Sequence, residues 1–157
     1  MSAVIRREVD RAGANGPDCS SLLNLLKGAH DQILREMSTM DAIAGAAAPD
    51  QSIAAARWRL SLASLRRRSL AAQIIDILWM RVEGEELEQL KQIRAADQQL
   101  QSRSATHVLK WSAKAIGDDW PGYCEASRGI RAQMDAHISL EQAKLVPLLE
   151  GAARRGL

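Results

Sequence analysis

The sequence predicts an all-α protein, an up-down-up-down four-helix bundle, and three observations lead there. Helix formers dominate its 157 residues, Phe is absent, and β-branched residues are few and scattered. Apolar residues recur in alternating three- and four-residue steps through four long stretches. Short turn-rich segments separate those stretches, so each helix is expected to lie antiparallel to the next.

Residues 1–17 end in Gly13-Ala14-Asn15-Gly16-Pro17, which helix cannot cross. They are expected as a flexible N-terminal arm, mobile or forming a short separate helix, ahead of a bundle over residues 18–157. Asp18 or Ser20 can cap the first helix, whose inward stripe reads Leu23, Leu26, His30, Ile33, Met37 and Met40. Gly45 to Pro49 ends it. Asp50 or Ser52 caps the second helix, which is expected to continue to about Val82. Its stripe is Ile53, Ala56, Leu60, Ala63, Arg67, Leu70, Ile74 and Ile77, which puts Arg67 on the inward face.

Glu85, Glu86 and Glu88 suit the positive end of a third helix. Its stripe, Leu90, Ile93, Asp97, Leu100, Ser104, His107 or Val108, Trp111 and Ala115, is the least apolar of the four. Gly117 to Gly122 breaks the chain, with Asp118-Asp119 read as a cap. The fourth helix is expected from about Tyr123 to Glu150, ending at Gly151. His137 and Glu141 share its apolar face with Ile130, Met134, Leu145 and Leu148.

Composition narrows the function. A net charge of +2 with scattered basic residues argues against a nucleic-acid protein. Arg57, Arg59, Arg66 and Arg68 beside Trp58 are read as a solvated face. No apolar run is long enough to span a membrane and residues 1–10 carry charges, so the expectation is a cytoplasmic protein with no membrane association. Cys19 and Cys124 lack metal or redox spacing and are read as reduced thiols. Met37, Met40, Met80 and Met134 read as core filler, Trp79 and Trp120 as packing anchors, and His107 beside Trp111 as a packing histidine. With no nucleophile-base pair and no phosphate loop, no enzyme is expected.

The inward polar residues fall at a common height. With a rise of about 1.5 Å per residue from a floor at residues 20, 82, 86 and 151, His30 and Glu141 stand roughly 15 Å up and His137 roughly 21 Å. The same band holds Arg67 and Ala71 on helix two and Asp97 on helix three. His107 lies roughly 15 Å above it. The expected cluster is His30, Arg67, Asp97, His137 and Glu141.

Over residues 20–151 the chain resembles the hemerythrin-like, HHE cation-binding family. The matching features are Leu26-Lys27-Gly28-Ala29-His30-Asp31-Gln32-Ile33, His137-x-x-x-Glu141 and the Leu145-Val146-Pro147-Leu148-Leu149-Glu150 ending. The resemblance implies a non-haem di-iron centre with histidines from all four helices and bridging carboxylates from helices two and four. It also implies oxygen binding, or sensing of oxygen, nitric oxide or redox state. By position His30, His137 and Glu141 match the family's ligands. Helix two departs from the pattern, with Arg67-x-x-x-Ala71 in place of a second His-x-x-x-Glu, and helix three offers Asp97, Gln98 and Gln101 at its histidine's level.

A di-iron site needs about five or six protein ligands, more than His30, His137, Glu141 and Asp97 supply. A buried guanidinium seeks carboxylates, so the leading expectation pairs Arg67 with Asp97 and Glu141 in a degenerate, metal-free centre. The chain would then be an interaction or regulatory module, binding a protein partner or itself. The alternative is a reduced site for one non-haem iron or zinc on His30, His137 and Glu141, with Asp97 as a further ligand.

Overall fold

A computed structural model describes residues 17–157, and these residues are helical with no strand among them. The arm expected over residues 1–17 falls, apart from Pro17, outside the described residues.

Helix α1 (Cys19–Ala44) begins where the Asp18 side chain accepts a hydrogen bond from the Ser21 N–H at 2.7 Å. Its buried face includes Leu22, Leu26, His30, Ile33, Met37 and Met40, so Leu22 takes the place expected for the half-buried Leu23. Asp50 accepts from the Ser52 N–H at 2.7 Å and starts α2 (Ser52–Trp79), which ends three residues short of the expected Val82. Its buried face is lined by Ala56, Ala63 and Ala71 around Arg67, and these small side chains leave the guanidinium room in the core. Met80 lies beyond the helix and is 86% exposed, which corrects its reading as core filler.

Gly84, at φ +59°, takes a left-handed turn into α3 (Gly84–Lys110), where Glu85 and Glu86 face the helix dipole. The third helix stops at Trp111 rather than running on towards Gly117. The Ser112 side chain accepts from the Ala115 N–H at 3.1 Å and starts a separate short helix, α4 (Ala113–Asp118). Asp119 then caps α5 (Trp120–Leu140) through the Gly122 N–H at 3.0 Å.

The expected unbroken last helix is instead three segments: α5, a π-helical turn (Glu141–Leu145) and α6 (Val146–Arg154). Pro147 is the physical reason, because it has no N–H for the Ala143 carbonyl and its ring crowds that carbonyl. The Val146 N–H reaches back to the Glu141 carbonyl, which widens the turn. Gly151 does not end the helix.

Helix α1 packs on α2, α5 and α6, while α3 packs on α2, α5 and the π turn. Two apolar clusters stack along these segments. One contains Leu22, Leu26, Ala71, Ile74, Ile93 and Leu145, and the next contains Ile33, Met37, Ala63, Leu100, Met134 and Ile138. Each long segment leaves its polar residue in the gap: His30 between Leu26 and Ile33, Arg67 between Ala63 and Ala71, Asp97 between Ile93 and Leu100, and Glu141 between Ile138 and Leu145. A third cluster of Met40, Ala56, Trp111, Trp120 and Tyr123 closes the far end.

Candidate functional site: a buried ion network

Glu141 is the hub of the polar layer and is fully buried. The Arg67 NH1 group donates to its Oε1, and the same guanidinium donates through NH2 to Asp97 Oδ1 at 2.6 Å. His30 Nε2 lies 2.7 Å from Glu141 Oε2, the other oxygen. His137, one turn before Glu141, has its Nε2 at 3.0 Å from Glu141 Oε1 and 3.4 Å from Asp97 Oδ1. His137 Nε2 points off the line of a hydrogen bond to either oxygen, and it is one of three buried polar atoms here without such a partner. The other two are His30 Nδ1 and Arg67 Nε.

Burial by itself would push the Glu141 carboxyl up. The two imidazoles and the Arg67 charge overcome that and hold it at about 2 instead of 4.5. The carboxylate is therefore ionised and can only accept, which places a proton on His30 Nε2. The apolar clusters on both sides of the layer strengthen each of these attractions.

The five residues expected at one height are brought together, and Ala71 lies at the edge of the lower apolar cluster. The three donors that converge closely enough to share an ion are Asp97, His137 and Glu141, with ligand atoms within 4.8 Å of one another. The set expected for a metal is His30, His137 and Glu141 with Asp97 as a further ligand; Asp97, His137 and Glu141 converge, while His30 meets the other carboxylate oxygen, Glu141 Oε2. Asp97 Oδ1 and Glu141 Oε1, two of the donors, both accept from Arg67. An ion among them would face a permanent positive charge on its own ligands, so with Arg67 in this position the residues do not fit a cation. A di-iron centre fits less well, since it needs about five or six protein ligands and α2 contributes only Arg67 and Ala71 here, neither of which can ligate.

No protein-family model, curated protein or solved structure matches this chain.

A second buried guanidinium escaped the sequence reading. Arg131 is 6% exposed, donates to Asp41 at 2.8 Å and to Ser127 Oγ, and occupies the inward position assigned to the half-buried Ile130. Stepping back from His137 through Met134 by threes and fours reaches Arg131 and Ser127, and that periodicity was the available signal. His107 stacks on Tyr123 at 5.8 Å, well away from the ion network, and Trp120 Nε1 donates to the Ala46 carbonyl at 2.9 Å. Both cysteines are buried free thiols. No described helix is long and apolar enough to cross a membrane.

Proposed function

We propose that this chain is a non-enzymatic, hemerythrin-like four-helix module with up-down-up-down connectivity and a metal-free centre. Arg67 supplies the positive charge that cations supply in that family. Its role is that of an interaction or regulatory module, acting on a protein partner or on a second copy of itself. The single observation behind this reading is the Arg67 guanidinium bridging Glu141 and Asp97. An arginine is charged at every physiological pH, so the counter-charge is built into the chain.

Protein purified without chelator and assayed for iron, zinc and manganese should carry far less than one metal per chain, and near-stoichiometric metal would overturn the proposal. A second reading, a non-haem iron or zinc centre for oxygen, nitric oxide or redox sensing, draws on the 4.8 Å convergence of Asp97, His137 and Glu141 and on the unpartnered His137 Nε2. It requires Arg67 to swing out of the layer. Under that reading Arg67→His tightens metal binding, whereas under the first the native chain takes up no stoichiometric metal at all.

A further inference from the structure

Beyond the ion layer a half-open cavity of about 610 Å³ lies between α2, α3 and α5. Small-molecule sites typically measure ~300–1,000 Å³. Its floor is Arg67 and Asp97, and Met37, Leu60, Leu100 and Met134 line its length. The lining on α2 runs from Arg57 to Arg68, about 16 Å at the helical rise, enough for an extended alkyl chain. Leu65 and Leu109, 52% and 84% exposed, form apolar lips at its mouth.

The end remote from the ion layer is cationic. Arg131 is already bonded to Asp41 and Ser127. Arg57 is half-buried, with its guanidinium 5.6 Å from the Tyr123 ring centroid, and no carboxylate among the described residues pairs with it. His107, at the same end, is held below its ordinary value first by burial and then by the charges of Arg57, Arg131 and Lys110. A partly desolvated guanidinium without an anion is costly, and a carboxylate seated on it would relieve that cost.

We propose that this cavity binds a single-chain amphipathic carboxylate, with its alkyl chain along Met37, Leu60, Leu100 and Met134 and its carboxylate on Arg57. Arg68 lines the opposite end, but there the Asp97 carboxylate shares the wall, whereas the Arg57 end has Arg131 and His107 beside it and no carboxylate in its lining, so it is the end that matches a chain with one anionic terminus. The inference goes beyond the reading of the centre and holds whether or not that centre binds metal.

Calorimetric titration of the native chain with dodecanoate, below its micelle-forming concentration, tests this, with dodecanol as the uncharged probe. One saturable site is expected, with dodecanol at least ~10-fold weaker, equivalent to about 1.4 kcal/mol. Arg57→Gln should weaken dodecanoate about tenfold and leave dodecanol unchanged. Ser104→Trp, which fills the cavity from α3, should abolish both, with thermal melts showing that each variant folds. The proposal is overturned by equal affinity for the two probes, by uptake of several dodecanoate molecules per chain, by undiminished binding in Ser104→Trp, or by no binding to the native chain. It is likewise overturned by a dimer that dodecanoate does not displace and Ser104→Trp dissolves, since a second copy would then own the groove.

Discussion

Arg67 and Glu141 lie 74 residues apart and form an ion pair with side chains only 2% and 0% exposed. An enclosed pair of this kind contributes little net stability, because desolvating both charges offsets most of their attraction, but breaking it leaves a charge with nowhere to go. His30 and Asp97 extend the pair across the remaining helices, so a change at either charge is felt by all of them.

Glu141→Gln should lower stability by about 3–5 kcal/mol, because it leaves Arg67 buried with a single carboxylate. The quadruple variant His30→Leu, Arg67→Met, Asp97→Leu, Glu141→Leu should recover at least half of that loss, since it removes the guanidinium and both of its carboxylates together. Urea unfolding midpoints at neutral pH would decide, and a quadruple variant less stable than Glu141→Gln would show that the network is a net stabiliser.

Stability should also fall in acid through Glu141. Its folded value is depressed to about 2 from 4.5, so its contribution is whole above pH 4.5 and drains as pH falls towards 2. The contribution is on the order of 3 kcal/mol. Unfolding free energies between pH 6 and 2 should therefore decline more steeply in the native chain than in Glu141→Gln. Parallel profiles would count against a depressed Glu141.

Asp119 holds the turn between α4 and α5, where its side chain accepts the Gly122 N–H. Asp119→Ala should cost about 1 kcal/mol, the usual loss for a helix cap. A thermal melt that does not move would mean that the aromatic cluster of Trp111, Trp120 and Tyr123 fixes this turn without the cap.

Helical periodicity and rise are local properties of the chain, so the all-helical class, a cap at Asp18 or Ser20 and another at Asp118-Asp119, and the inward registers of His30, Arg67, Asp97, His137 and Glu141 could be read from the sequence, while the structure selects Asp18 and Asp119 as the caps. Spacing says nothing about which oxygen each side chain reaches. Tertiary packing decided that Arg67 takes Glu141 Oε1 while His30 takes Oε2, and that among the four candidate ligands Asp97, His137 and Glu141 converge. It also exposed Met80 past the end of α2, whereas the inward position of Arg131 follows from the same periodicity that carries His137 and Met134 inward. A helix carries its polar residues to a given face and height by itself, but their partners belong to other helices and are settled only when the backbones pack.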